Sequence, residues 1–293
     1  MKTTSDTQQT VHEMVRKGYA AIATRKTTSR SPSCGCGGKK MTPQSLAEEI
    51  GYSTEELAVL PEGANLGLSC GNPAALAALK RGEVVLDLGS GGGFDVFIAG
   101  RKVGTAGRVI GVDMTPEMLA KARRNAASYR KQNGVDNVEF RLAEIEHLPV
   151  ADNSVDVVIS NCVINLSPDK SQVWREIARV LKPGGRVAVS DLALLQPLPQ
   201  AIREMVEAVI GCVAGAILVD ETERLARKAG LTDIVLTRKS EFLAVKADWN
   251  DPLYRKIAEH LPPGKTAADF ITSLEIKARK PGGECCGSEC CEA

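Results

Sequence analysis

Nine cysteines and two aspartates set beside glycines are the residues of this chain best suited to chemistry. Cys34 and Cys36 form a C-G-C pair. Cys285, Cys286, Cys290 and Cys291 form two vicinal pairs, and Cys70, Cys162 and Cys212 stand singly. Thiolates are soft ligands for thiophilic metals and metalloids, and a dithiol passing to a disulfide releases two electrons. C-x-C and C-C spacings are not the paired C-x-x-C of a structural zinc site. Such thiols can chelate a soft centre and hand it inward, or belong to a mobile tail that binds soft metals incidentally. With only His12, His147 and His260 present, imidazole acid–base catalysis has few starting points.

The aspartates bracket a possible nucleotide site. In VVLDLGSGGGFD, Gly89 and Gly91 match the start of a dinucleotide fingerprint, but its third glycine position holds Phe94. Asp87 closes the preceding strand, and no lysine is near to hold a phosphate. A carboxylate beside tightly turning backbone suits a cationic ligand instead, and S-adenosylmethionine carries an ammonium and a sulfonium. Glycines there let the backbone approach the ligand. Asp113, about 20 residues on, can accept from both ribose hydroxyls, and Met114 offers adenine a polarizable face.

These residues need a scaffold. From Glu83 to Asp191 the chain alternates EVVLDL, RVIGVDM, VEFRLA, SVDVVIS and RVAVSDL with helical stretches, which indicates a parallel, doubly wound α/β sheet. A helix near 8 to 24 precedes a Ser- and Gly-rich segment. The helix in DKSQVWREIARVL is expected to stop at Pro183-Gly184-Gly185, and PQAIREMVEAVIGCVAGAI reads as helical. Two strands, TDIVLTRK and FITSLEIKARK, follow around a polar insert. The expected organisation is a flexible segment (1–40), a cofactor-binding domain (41–195), an α+β acceptor region (196–280) and a disordered Cys-rich tail (281–293).

A net charge of +1 gives no footprint for nucleic acid. No apolar run reaches the roughly 20 residues a membrane span needs, and the polar N-terminus lacks a signal-peptide core. The expectation is a cytoplasmic, monomeric protein in a compartment that rarely keeps structural disulfides. Nine unpaired thiols then point to metalloid ligation or redox work.

LDLGSGGG, GVDM, LPVADNSVDVVIS and LKPGGRVAVSD together resemble the class I methyltransferase fold. The resemblance implies a cofactor set of Asp87, Gly89, Ser90, Gly91, Gly93, Asp113, Met114, Ile145, Glu146 and Asn161. Glu144, Ile145 and Glu146 follow the third strand, where such enzymes contact adenine, although an exposed turn fits equally. Asp95 either caps a helix or touches ligand, and Asp191 is either site-facing or a turn residue. Taken singly, Cys212 reads as core packing in an apolar helix, whereas Cys162 lies at a strand end beside the cofactor pocket.

SCGNP, SNCVINLSPDK and GCVAGA, across residues 61 to 230, are similar to arsenite methyltransferases. That resemblance implies As(III) held by Cys162 and Cys212, with Cys70 as third thiol and disulfide partner. It also implies thioredoxin or glutathione as the external reductant, and it leaves Cys34 or Cys36 open as a fourth redox thiol. Thiolate-bound As(III) keeps a lone pair, so no side chain has to deprotonate the nucleophile. Two other readings stay open: a methyltransferase for a small organic acceptor, and a non-catalytic metalloid-binding protein.

Overall fold

A computed structural model describes residues 4–24, 42–239 and 252–282. Cys34, Cys36, Cys285, Cys286, Cys290 and Cys291 lie outside these residues, as do the segments expected to be flexible around them. Helix α1 (Thr4–Thr24) starts before the stretch expected at 8 to 24. Helices α2 (Pro43–Glu49) and α3 (Thr54–Ala58) each open on a capping box, Thr42 with Ser45 and Ser53 with Glu56. Such boxes satisfy N–H groups left over in a first turn. Asn72 caps α4 (Pro73–Leu76) by accepting from the Ala75 N–H at 2.9 Å.

The alternating region follows as β1 (Val84–Leu88), α5 (Phe94–Val103), β2 (Arg108–Asp113), α6 (Pro116–Asn133) and β3 (Val138–Leu142). It continues as β4 (Val155–Asn161), α7 (Lys170–Val180) and β5 (Leu181–Leu194). Beyond it lie α8 (Gln200–Arg203), α9 (Val206–Ile210), α10 (Val219–Lys228), β6 (Thr232–Lys239), α11 (Pro252–Glu259) and β7 (Ile271–Arg279). All seven strands form one sheet in the order β3-β2-β1-β4-β5-β7-β6. The first five are parallel, and β7 runs antiparallel between β5 and β6. The fold is therefore the α/β methyltransferase type, and its C-terminal strands extend the same sheet.

Successive side chains of a strand face opposite ways, and both faces of this sheet are buried. Leu86, Leu88, Val158, Val187 and Val189 pack with Trp174 and Ile177 of α7 and Leu225 of α10. Val85, Val157, Ile159 and Ala188 pack on the other face with Phe97 of α5 and Leu119 and Tyr129 of α6. Strands covered on both sides read as continuous apolar runs, which is why they stand out in the sequence.

Three local expectations need correction. α7 ends at Val180, and Leu181, fully buried, already pairs with Val155 in the sheet. The Pro183-Gly184-Gly185 stretch is thus an irregularity inside β5, whose ladder resumes at Arg186 opposite Val157. The same strand runs on to Leu194, so Asp191 is interior to it. The third correction concerns residues 199–217, which form α8, α9 and turns instead of one helix. Gly215 there runs against the Asn165 carbonyl, which a Cβ would approach to 2.0 Å. The polar insert also carries structure of its own, α11.

Among the described residues, no helix is long and apolar enough to cross a membrane. Leu274, at the centre of β7, is buried in the core shared with β1 and α7. Leu274→Ala should therefore cost about 2–5 kcal/mol and leave a single unfolding transition in urea. Two resolved transitions would mean that the C-terminal strands form a separate unit.

Candidate active site

The carboxyl ends of β1, β2 and β4 open onto one cleft of ≈ 960 Å³ counting its mouth, where open α/β sheets bind their ligands. The turn after β1 closes its floor. Gly89 has φ +68°, and a Cβ there would sit 2.3 Å from a Val163 methyl. Only glycine both adopts that conformation cheaply and lets the loop after β4 close against it. Ser90, Gly91 and Gly92 continue along the wall, while Gly93 turns away to cap α5. The Ser90 hydroxyl is buried with no protein partner.

Asp113 is held at the end of β2 by two backbone donors, the Gly91 N–H at 2.9 Å and the Thr115 N–H at 2.8 Å. They reach different oxygens, so each oxygen keeps a lone pair for a ligand hydroxyl. Burial raises its pKa. Burial also pushes the Asp87 carboxyl well above its usual range, with Asp95 and Asp113 close by adding to the effect. Asp95 sits in the first turn of α5 and is pushed up to about 6 by burial. Asp87, Asp95 and Asp113 all line the cleft, and among the described residues no lysine or arginine does. Buried acids without a cation are costly, so the cleft is matched to a cationic ligand and opposed to a phosphate.

The apolar end is formed by Met114, Ile145 and Leu66, with α1 laid across it through His12, Val15 and Tyr19. Ile145 and Glu146 are buried, which resolves the choice at this turn against an exposed one. Glu146 accepts from the Ser167 hydroxyl in a short contact, and its Oε1 lies 3.1 Å from His12 Nε2. His12 Nδ1 lies 3.2 Å from Glu144, which also meets Arg16 at 3.2 Å. These contacts pin α1 over the cleft. The hydrogen bond to Glu146 raises the His12 pKa. Burial would raise Glu146, but hydrogen bonds from His12 and Ser167 hold it below its ordinary value.

The three single cysteines meet beside this cleft. Cys70 and Cys162 are joined by a disulfide, with Cα atoms 6.2 Å apart. Cys212 is buried and free, and its Sγ donates to the Cys162 carbonyl at 2.8 Å. Contrary to expectation, Cys212 lies in a turn after α9 and not in a helix. Cys162 and Cys212 have φ of +54° and +63°, a conformation that non-glycine residues adopt at a cost and that collects at functional sites. Burial, with Asp191 nearby, pushes the Cys212 thiol well above its usual pKa. The Tyr19 hydroxyl of α1 stands 4.0 Å from the same sulfur, so α1 covers thiol and cleft together.

Of the residues singled out in the sequence, Asp87, Gly89, Ser90, Gly91, Asp113, Met114, Ile145, Glu146, Asn161 and Cys162 all line the cleft. Asp191 lies apart, buried in β5 and accepting from Asn165 Nδ2 at 2.9 Å and the Leu192 N–H at 2.8 Å. Sequence reasoning missed Gly92 and the whole contribution of α1. His12, Val15 and Tyr19 carry no motif, and only their common helix face could have drawn attention to them.

Residues 79–230 match the family model described as a methyltransferase domain. The chain is 45% identical to the arsenite methyltransferase of Halobacterium salinarum, over 92% of its own length and 66% of that protein. It is 39% identical to the arsenite methyltransferase of Aquipseudomonas alcaligenes, over 76% of this chain and 62% of the relative. The chain thus spans just under two thirds of the length of these curated relatives. Among solved structures, an arsenic(III) S-adenosylmethionine methyltransferase from Chlamydomonas reinhardtii matches with a TM-score of 0.58 and 34% identity, covering 82% of this chain and 74% of that one.

The latch on α1 has a defined pH dependence. A histidine whose folded pKa is raised contributes stability below its unfolded value near 6.5 and loses it as pH climbs through the folded value. Hydrogen exchange in α1 should therefore accelerate roughly three- to tenfold above that range, as about 1 kcal/mol of charge-assisted bonding is withdrawn. His12→Ala should exchange at the faster rate throughout. Equal pH profiles for the two proteins would refute the latch.

Proposed function

The chain belongs to the methyltransferase-domain family, and on that premise we propose that it transfers methyl groups from S-adenosylmethionine to As(III) held by its own cysteines. The observation that carries this reading is the meeting of Cys70, Cys162 and Cys212 beside a cleft lined by buried acids. Similarity to arsenite methyltransferases over most of the chain supports it.

The cleft fits the cofactor by its own chemistry. Asp87 faces an ammonium, which would restore its charge. Asp113 offers the free lone pairs of its two oxygens to the ribose hydroxyls. Met114 and Ile145 would cover the adenine, and Gly89, Gly91 and Gly92 would let the backbone approach it without Cβ atoms. The bound cofactor supplies an electrophilic methyl group on a positively charged sulfur.

The chain's own thiols do the rest. As(III) bound to Cys162, Cys212 and Cys70 as thiolates keeps its lone pair and needs no general base. Catalysis is then a matter of holding arsenic in line with the methyl group and excluding water, for which α1 provides the roof. Methylation takes arsenic to the pentavalent state. Two of its thiolate ligands then leave together as the Cys70–Cys162 disulfide, returning two electrons, and a glutathione thiolate takes the vacated position, so that the methylated As(III) on Cys212 is neutral and three-coordinate. An external dithiol such as thioredoxin, or glutathione, reopens the disulfide by thiol–disulfide exchange. A reducing compartment such as the cytoplasm fits that requirement.

Incubation with arsenite, S-adenosylmethionine and glutathione should yield methylarsenicals by mass spectrometry. Cys162→Ser and Cys212→Ser should lose more than about 100-fold in rate, since positioning accounts for most of the acceleration. Cys70→Ser should abolish turnover while S-adenosylmethionine still binds, and sustained turnover there would sink its redox role. Asp87→Asn should weaken cofactor binding by about tenfold or more in calorimetry, the loss of one charged hydrogen bond. Absence of product from a protein that binds the cofactor would favour an organic acceptor. Arsenite binding without cofactor binding would favour a scavenger.

A further inference from the structure

Asn161 ends β4 one residue before Cys162, and its amide is turned toward Cys70. Its Oδ1 accepts the Cys70 N–H at 3.0 Å. Its Nδ2 lies 2.9 Å from the Gly71 carbonyl, 3.0 Å from Asp95 Oδ2 and 3.1 Å from the Tyr52 hydroxyl. Tyr52 in turn donates to the other Asp95 oxygen at 2.7 Å. The hydrogens can be counted, because the amide has two and the phenol one. Three acceptors take them: the Gly71 carbonyl and the two oxygens of Asp95. Nothing is left on Nδ2 for a ligand in the cleft, although Asn161 stands on its wall.

The same bonds fix both halves of the disulfide. Cys70 is held at its N–H by Asn161 and at its carbonyl by the Ser273 hydroxyl, at 3.1 Å. Cys162 is held by the peptide bond to Asn161 and by its own N–H, which donates to the Ser190 carbonyl at 2.8 Å. Two sulfurs can bond only when their backbones are fixed at a narrow separation and orientation. A single amide thus spans the two cysteines that must meet. Its remaining bonds are anchored on Tyr52 and Asp95, both buried.

We infer that Asn161 is the positioning residue of the Cys70–Cys162 redox pair, and that it serves the thiols rather than the cofactor. Through Asp95, whose carboxylate lies on the cleft wall, it ties the geometry of that pair to the cofactor pocket. Asn161 does not react. It lowers the cost of bringing two thiols together, so that their two protons and two electrons pass readily to an oxidant while the sulfur–sulfur bond forms. The inference uses the thiols of the proposed function but not arsenic, so its test can fail or succeed whatever the methyl acceptor is.

The test equilibrates the full-length protein in buffers of oxidised and reduced dithiothreitol. Free thiols are then alkylated, and the oxidised fraction of Cys70 and Cys162 is read by mass spectrometry. Exchange is balanced, because the dithiothreitol disulfide takes up the protons and electrons that the cysteines release. In Asn161→Ala the equilibrium constant for the protein disulfide should fall about tenfold, as two backbone anchors of the Cys70 loop are lost. Tyr52→Phe keeps the ring in place and removes only the hydroxyl, and should lower the constant by about threefold. It carries the test if Asn161→Ala does not fold. A constant within about twofold of wild type in the folded variant, against the tenfold expected of lost anchoring, would overturn the inference. If S-adenosylmethionine affinity then dropped instead, Asn161 would be a cofactor contact.

Discussion

β1 and β4 are neighbours in the sheet, and the chains leaving them part company. From β1 the chain passes through α5, which packs on one face, to reach β2. From β4 it passes through α7, which packs on the other, to reach β5. Neither connection covers the gap between their carboxyl ends, so a crevice is left there by topology alone. Among the described residues, Asp87, Asp95, Asp113 and the single cysteines singled out in the sequence are gathered around or beside that gap. The glycine turn leaves β1 into it, Asp113 arrives from β2, and Asn161 and Cys162 end β4 beside it.

What fills the gap is decided by charge. Three aspartates are buried along the cleft, and burial raises the pKa of each, whereas Glu146 on the same lining is held low by its hydrogen bonds from His12 and Ser167. Isolated buried charge is strongly disfavoured, and among the described residues the lining offers no lysine or arginine to offset it. A ligand that brings positive charge gains what the protein alone lacks. Asp95 has a different task from the other two, since both of its oxygens are occupied by Tyr52 and Asn161. The acids thus divide between facing the ligand and bracing the wall behind it.

The thiols are linked to this pocket by short paths. Cys162 is on its wall, Cys70 is bonded to Cys162, and Cys212 reaches the Cys162 carbonyl. All are covered by α1, whose His12 pairs with the acids after β3 and whose Tyr19 approaches Cys212. One helix therefore covers both the cleft and the free thiol. Under the proposed function, such coverage would keep an electrophilic methyl group from water.

The sequence by itself determined the sheet and the loop that opens it. Strands buried on both faces must be apolar throughout, and a turn with φ near +68° against Val163 must be glycine. Both demands are local and leave a mark in residue type. The ends of β5 and the breakup of 199–217 were not legible. They depend on contacts such as Leu181 with Val155, or Gly215 with the Asn165 carbonyl, between residues distant in the chain. The same holds for the site. Its acids and cysteines could be found by type and position, but their assignments could not. Only the tertiary structure decided that α1 is the roof, that Cys212 sits in a turn, and that the Asn161 amide faces Cys70. A side chain's partners depend on what the fold brings within about 3 Å of it, and residue spacing along the chain carries no measure of that distance.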